Sequence, residues 1–209
     1  MKTKGRTSIV VKMGVVSDGM RVIAGRAKGY KLKAPKGKQT RPTADRVREA
    51  LFSILAYRVE DAVFLDAFAG SGAVGIEALS RGAYKAVFVD QDWKAVKAIK
   101  ENLEKTGFLE QSLILKQSLD EAMDFLAAAG EVFDLVFMDP PYARENLASD
   151  LLGLDRHGLL AADTLLVVEH SRRQDMPNQV GRLRLKRQAR YGDTVLSIYQ
   201  VFMEEEEQT

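Results

Sequence analysis

Cysteine is absent from this chain, and histidine occurs only at His157 and His170. The first absence excludes disulfides, thiolate metal sites and cysteine nucleophiles. The second leaves too few imidazoles for a multi-histidine centre, so no metal is expected. Long apolar runs are also missing. No stretch approaches the roughly 20 residues of a membrane-spanning helix. The N-terminal Ile9-Val10-Val11 is broken by Lys12 before it can form a signal-peptide core. A cytoplasmic location is therefore the expectation.

What is present is an ordinary globular composition, 46% hydrophobic and 29% charged. At 209 residues the chain can build one large core without covalent staples. Its charge is unevenly placed. Met1 to Arg48 carry 14 Lys and Arg against Asp18 and Asp45, a net +12, which leaves −10 for the rest of a chain whose total is +2. Arg172 to Arg190 form a second basic stretch, opposed only by Asp175, and Glu204 to Glu207 mark an acidic tail over 204–209. Basic charge gathered at one end suits a polyanion partner. A solvated basic arm is the competing reading.

Residues 1–19 lack periodicity and read as a flexible extension. Residues 20–42 place Arg21-Val22-Ile23-Ala24-Gly25 and Tyr30-Lys31-Leu32-Lys33 around a turn at Gly29, the pattern of a basic β-hairpin followed by a Pro/Gly/Lys loop. The main domain is expected over 43–203. Thr43 caps a helix whose Val47, Ala50, Leu51, Ile54 and Leu55 recur at helical spacing. From Ala62 short apolar runs alternate with helical patterns. Strands are expected at Val63–Leu65, Ala86–Val89, Leu113–Leu115, Phe133–Met138 and Leu165–Val168, with helices at about Gly72–Arg81, Trp93–Lys105 and Glu121–Ala129. Leu183–Arg190 and Val195–Val201, joined by Tyr191-Gly192-Asp193-Thr194, complete a C-terminal hairpin. This predicts an α/β fold: a doubly wound, mostly parallel seven-stranded sheet covered on both faces.

Two loops carry chemistry. Asp66-Ala67-Phe68-Ala69-Gly70-Ser71-Gly72 joins the first strand to its helix, where glycines permit close backbone approach and a helix N-terminus offers free amides. Gly70-Ser71-Gly72-Ala73-Val74-Gly75 fits a dinucleotide fingerprint, with Asp90 ending the second strand as a ribose acceptor. Asp66 ahead of the glycines, however, suits a cationic, amine-bearing ligand better than pyrophosphate. S-Adenosylmethionine has a sulfonium, an ammonium and no phosphate; a nicotinamide cofactor is the remote alternative. The second loop is Asp139-Pro140-Pro141-Tyr142, a rigid clamp for a planar nitrogen base. Asp139 accepts from an exocyclic amine, the proline carbonyls add acceptors, and Tyr142 stacks. In an open parallel sheet the loops bearing Asp66, Gly70, Gly72, Asp90 and Asp139 converge on one crevice. Of the remaining aromatics, Phe52 and Tyr57 are read as core or helix-face residues, and Trp93 as a packing residue or a flank of the cofactor. Glu169 and His170, ending the fifth strand, border the pocket, and His157 is assigned no role.

These two loops resemble the class I S-adenosylmethionine-dependent methyltransferases that act on exocyclic base amines. Thr40-Arg41-Pro42-Thr43, Asp45 to Phe52, Val168-Glu169-His170-Ser171 and Tyr191-Gly192-Asp193-Thr194 are similar, more narrowly, to a bacterial family of small-subunit ribosomal RNA guanine-N2 methyltransferases, from Met20 to about Tyr199. The resemblance implies methylation of a guanine N2 amine in 16S ribosomal RNA, on an assembled or assembling small subunit, by a monomer. It implies catalytic roles for Asp139, Pro140 and Tyr142. It assigns the cofactor to Asp66, Phe68, Gly70, Gly72, Asp90, Gln91, Ser118 and Leu119, and the RNA to Arg21, Arg26, Lys28, Lys31, Arg41 and Thr43. One departure stands out: the family's Gly-Asp or Asn-Asp-like pair is Gln117-Ser118-Leu119 here, so Ser118 or Asp120 takes over the adenine amine. A DNA adenine-N6 methyltransferase is the alternative that the clamp alone also permits.

Overall fold

Along a β-strand successive side chains go to opposite faces, and the central strands use this to feed two cores. Phe64, Phe88, Leu135, Phe137, Leu165 and Val167 join one apolar cluster. Leu65, Val87, Val136, Met138, Leu166 and Val168 join the other. A computed structural model describes residues 20–35, 42–141, 144 and 146–202. The expected extension over 1–19, the acidic tail, Arg41 and Tyr142 lie outside the described residues.

The chain runs α1 (Pro42–Leu55), β1 (Val63–Asp66), α2 (Ala73–Ser80), β2 (Lys85–Val89), α3 (Trp93–Thr106), β3 (Ser112–Leu115), α4 (Leu119–Ala128), β4 (Phe133–Met138), α5 (Leu147–Arg156), β5 (Leu160–Ser171), β6 (Gln179–Val180), β7 (Leu183–Tyr191) and β8 (Thr194–Val201). One sheet takes the order β3-β2-β1-β4-β5-β8-β7-β6. Strands β1 to β5 pair in parallel, whereas β6, β7 and β8 pair antiparallel. The first core takes residues from α1, α2 and α3, the second from α4 and α5. The doubly wound expectation holds.

Three details differ from the sequence reading. The sheet has eight strands, because Gln179 and Val180 pair with Arg184 and Leu183 to add a two-residue edge. Helix α1 begins at Pro42, so Thr43 is its second residue and not its cap; a proline fits a first turn because no intrahelical bond is asked of its nitrogen. Helix α5 was not anticipated, although Leu147, Leu151 and Leu154 are spaced for it and the Asn146 side chain caps it through Ser149 N. Phe52 lies in the core and Tyr57 is exposed, while Trp93 is 57% exposed and so is not a packing residue.

The basic N-terminal segment is held to α2 by polar contacts. A single antiparallel bridge, Arg21 to Lys31, closes its turn. Val22, Ala27 and Leu32 join the first core. The fully buried Glu77 of α2 accepts from Ile23 N at 2.7 Å, Ala24 N at 3.0 Å and Arg81 Nε at 2.7 Å. At Gly25 (φ +81°) a Cβ would lie 1.8 Å from the Ser80 carbonyl oxygen, so only glycine lets the segment come this close. That approach places Arg26 N 2.7 Å and Ala27 N 2.9 Å from Ser80 acceptors at the C-terminal end of α2. From the other side, Arg48 of α1 donates to the Arg21 carbonyl.

Removing one partner of a buried charge pair costs about 3–5 kcal/mol, because the remaining groups are left unsatisfied. Glu77→Ala should therefore lower the unfolding free energy by about 3 kcal/mol in urea titration. Limited trypsin digestion should then cut first at Arg26 and Lys28.

Candidate active site at the carboxyl ends of the parallel strands

Strand order reverses between β1 and β4: β1 leads to β2 and β3 on one side, and β4 lies on the other. Loops leaving the two strands diverge there and open the crevice that such sheets use for ligands. The residues at this edge are acidic. Asp66 ends β1, Asp90 follows β2, Asp139 follows β4, and Glu169 lies near the end of β5.

Asp66 is only 2% exposed. Its Oδ2 accepts from Gly75 N, in the first turn of α2, at 2.9 Å. Burial pushes its carboxyl up to about 7, the Gly75 bond works in the opposite direction, and the charges of Asp139 and Asp90 raise it further. Asp139 and Asp90 are thus close enough to Asp66 to interact electrostatically, although far apart in sequence. Asp90 Oδ2 accepts from Gly70 N at 2.8 Å and its Oδ1 from Asp92 N at 2.9 Å, which ties the glycine loop to the end of β2. Gly70 has φ +56° and a Cβ there would meet nothing within 4 Å, so the loop crest stands open to a ligand. Gly72, at φ +75°, is the N-cap of α2.

The other expected cofactor residues surround this loop. Phe68 packs against the second core, and Arg144 lies 5.4 Å above its ring. Gln91 is exposed beside Asp90. Ser118 is the N-cap of α4 in a capping box with Glu121, and Leu119, the first residue of α4, is buried. The side-chain oxygen of Gln117 is buried with no hydrogen bond among the described residues.

The residues fit a cationic ligand with amine and hydroxyl donors. Helix α2 carries no Lys or Arg, and Asp66 already takes a first-turn amide that a pyrophosphate would need. Carboxylates that fill a helix N-terminus repel phosphate and attract a sulfonium or ammonium. Asp90 retains acceptor capacity for hydroxyls. This donor set does not suit a nicotinamide dinucleotide. Among the described residues no cluster of His, Asp and Glu could hold a metal, and no helix is long and apolar enough to cross a membrane.

Asp139, Pro140 and Pro141 also line a second recess, together with Glu169, His170, Ser171, Gln174 and Thr194. Burial, then the charge of Asp139, raises the Glu169 carboxyl to about 8. His170 is spoken for. Its Nδ1 lies 2.9 Å from the Ser171 carbonyl and its Nε2 2.7 Å from Ser197 Oγ, and burial lowers its pKa. Ser197 Oγ also accepts from Gln188 Nε2, so this chain ties β5, β8 and β7 together and leaves His170 a structural wall.

Arg144 was missed by sequence reasoning. It bonds both carboxylate oxygens of the buried Asp150 in α5, with Nε at 2.6 Å, and its backbone N donates to Pro141 O at 2.8 Å. With its ring contact to Phe68 it links the clamp loop, the glycine loop and α5. No spacing signal marks such a residue, because its partners come from three elements.

The basic residues divide by partner. Arg26 lies over the Phe108 ring at 5.1 Å and donates to Gln111 Oε1, while Lys33 pairs with Glu101 at 2.7 Å. Arg21, Lys28 and Lys31 are exposed, and the Lys28 and Lys31 side chains form no ion pair among the described residues.

The family model described as conserved hypothetical protein 95 matches residues 20–200. The chain belongs to this family. The match covers the span over which the resemblance was expected. Within the family's range, the putative rRNA methyltransferase YlbH of Bacillus subtilis is 39% identical over 180 residues, 86% of this chain and 98% of that protein. Ribosomal RNA small subunit methyltransferase D of Escherichia coli K12 is 37% identical over 184 residues, covering 88% and 91%. The solved structure of the putative methyltransferase yhhF from Escherichia coli superposes at TM-score 0.73 with 37% identity, covering 87% of this chain and 97% of that one. An RNA methyltransferase from Salinibacter ruber, solved with S-adenosyl-L-homocysteine, shares the fold at TM-score 0.58 and 18% identity over 81% and 97% of the two chains. The family's fold is the Rossmann-like methyltransferase sheet with an antiparallel C-terminal hairpin.

Asp66 gives this site a measurable signature. Its folded pKa of about 7 exceeds the ordinary aspartate value of 3.8, so the folded state holds a proton that the unfolded chain releases. The stability this contributes is complete below pH 4 and is lost as pH rises through 7. Asp66→Asn, whose amide oxygen still accepts from Gly75, removes that loss. In urea titrations without ligand, the variant should gain on the parent by a few kcal/mol, in order of magnitude, between pH 4.5 and pH 8. A difference that stays flat with pH would contradict a buried, proton-holding Asp66.

Proposed function

We propose that the protein transfers the methyl group of S-adenosylmethionine to the exocyclic N2 amine of one guanine in small-subunit (16S) ribosomal RNA. It would act as a cytoplasmic monomer on an assembled or assembling subunit. One observation carries the reading: Asp139 interacts electrostatically with Asp66 in the glycine-loop crevice and also lines the recess beside Pro140 and Pro141. One residue thus borders a place for a cationic donor and a place for a planar base. The relatives named as ribosomal RNA methyltransferases, matched over nearly their full lengths, support RNA over DNA as the acceptor.

Bound S-adenosylmethionine supplies an electrophilic methyl group. Asp66, Asp90 and the Gly70–Gly72 loop would hold it through its ammonium and ribose hydroxyls, with Phe68, Gln91, Ser118 and Leu119 forming the rest of the site. The Gln117 side-chain oxygen, buried and without a hydrogen bond among the described residues, would accept from the adenine amine. Asp139 and the Pro140 carbonyl accept from the two N2 protons, turn the nitrogen more tetrahedral and aim its lone pair. Once the nitrogen has taken the methyl group, its surplus proton would pass to solvent water. Alignment of this kind can lower a barrier by up to ~7–11 kcal/mol, so no strong base is needed. Tyr142 would stack on the base once it has left its helix or loop. Arg21, Arg26, Lys28, Lys31, Arg41 and Thr43 would grip the RNA backbone, which positions the RNA without reading its sequence.

Labelled methyl transfer to unmodified small subunits and to naked 16S RNA, followed by mapping of the product, tests this directly. Asp139→Ala should lower turnover by about 10²-fold or more with little change in S-adenosylmethionine affinity by calorimetry. Turnover within a few-fold of the parent would reject the clamp. Replacing Lys28 and Lys31 together by Ala should weaken RNA binding and make its log–log salt slope shallower by about 1–2, as read from filter binding at several salt concentrations.

A further inference from the structure

We propose that a polar recess between the β5–β8–β7 part of the sheet and the loop after β5 holds a phosphodiester group of the RNA strand beside the acceptor nucleotide, gripped by Arg172 and Arg190. This extends, and rests on, the function proposed above.

Sheet register and a tethered loop build the recess. His170 of β5, Val195 of β8 and Arg190 of β7 form one row across the sheet, and Gln188, two residues from Arg190, shares that face. The loop over 172–178 is pinned at both ends. Arg172 N donates to Asp193 O at 2.9 Å, Leu185 N donates to Asn178 O at 2.8 Å, and Tyr199 Oη donates to Pro177 O at 2.6 Å. Loop and sheet leave a cavity of about 150 Å³ whose walls include Arg172, Gln174, Asn178, Gln188 and Arg190. A ligand therefore meets a shape already set and is spared the cost of ordering it. The Gln174, Asn178 and Arg190 side chains form no hydrogen bond or ion pair among the described residues. Arg172 pairs only with Asp193, at 3.9 Å and with both side chains mostly exposed, a tie worth little. Asp175 is the one acidic residue in the walls, against two arginines, so positive charge prevails.

Location selects the ligand. His170 and Gln174 also wall the recess of Asp139, Pro140 and Pro141, where the acceptor base is placed. A base and its phosphates are one ribose apart, so a base in the first recess brings a flanking phosphate to the second. The acidic side chains of the crevice belong to β1, β2, β4 and β5, whereas β8 and β7 lie beyond β5 in the sheet order. There the two arginines offset the repulsion that the crevice imposes on the strand whose base it admits. A guanidinium presents paired N–H donors that match phosphate oxygens, and the amides of Gln174 and Asn178 add further donors. Such a contact holds the strand without reading its sequence.

The test compares the full-length parent with the double variant Arg172→Ala, Arg190→Ala on the RNA or subunit that the parent methylates. Both arginines are exposed, so the fold does not depend on them. The double variant should raise KM for the RNA by about 10-fold or more and make the log–log salt slope of binding shallower by about 1. S-Adenosylmethionine affinity by calorimetry and melting temperature should stay near the parent's. Lysine at both positions keeps the charge and should restore the slope. An uncharged methylphosphonate is then placed, one at a time, at each phosphate within two nucleotides of the methylated base. One replacement should weaken binding by the parent and leave binding by the alanine variant unchanged, because both changes remove the same contact. An unchanged KM and slope, or effects that simply add at every phosphate, overturns the inference while RNA methylation stands. A changed preference for a neighbouring base, with the slope unmoved, marks a base site and overturns it too. A parent that methylates no RNA overturns the function and this inference together.

Discussion

The hydrogen bond from Gly75 N to the buried Asp66 carboxylate is the contact on which the rest of the molecule is built. It joins the end of β1 to the first turn of α2 and fixes the angle at which that helix leaves the sheet. Gly75 has no room for a side chain, because a Cβ would lie 2.3 Å from the Phe88 ring. The glycine is needed for this close packing of helix on sheet, quite apart from any ligand. With α2 so placed, its buried Glu77 and its C-terminal Ser80 face the N-terminal segment and hold it. The helix is only eight residues long, yet it carries the glycine loop at one end and the basic segment at the other.

That arrangement links two parts of the chain that look independent in the sequence. The segment bearing Arg21, Lys28 and Lys31 is not a loose arm: Val22, Ala27 and Leu32 share a core with α1, α2 and α3. A polyanion held on the exposed side of this segment is held at a fixed distance from the crevice. Such rigidity suits an enzyme that must present one base of a large RNA to one atom, since small displacements cost heavily in rate.

Legibility in the sequence followed the range of the interactions. The parallel strands were readable because burial on both faces writes a continuous apolar run, as in Phe133–Met138. The convergence of Asp66, Asp90 and Asp139 was readable because strand alternation dictates where the loops meet. Residues whose role comes from distant partners were not. Glu77 reads as an ordinary solvent-facing helix position until residues 23 and 24, some fifty positions away, cover it. Arg144 joins Phe68, Pro141 and Asp150, and no local pattern announces that meeting. Trp93 was read as packing because tryptophan usually is, yet at the start of α3 it stands beyond the edge of the core. The two-residue β6 is too short to leave any periodicity.

Charge sorts what can enter the crevice. Four acidic side chains stand at the ends of β1, β2, β4 and β5, and burial, more than their neighbours' charges, raises Asp66 to about 7 and Glu169 to about 8. An RNA backbone brought to that edge would be repelled. The exposed Lys28 and Lys31 offer the complementary charge on the N-terminal segment, which Asn102 ties to the glycine loop by donating to both the Lys33 and the Ser71 carbonyls. A base out of its stack carries no charge, so it is the part of an RNA best able to enter an acidic crevice beside such a segment.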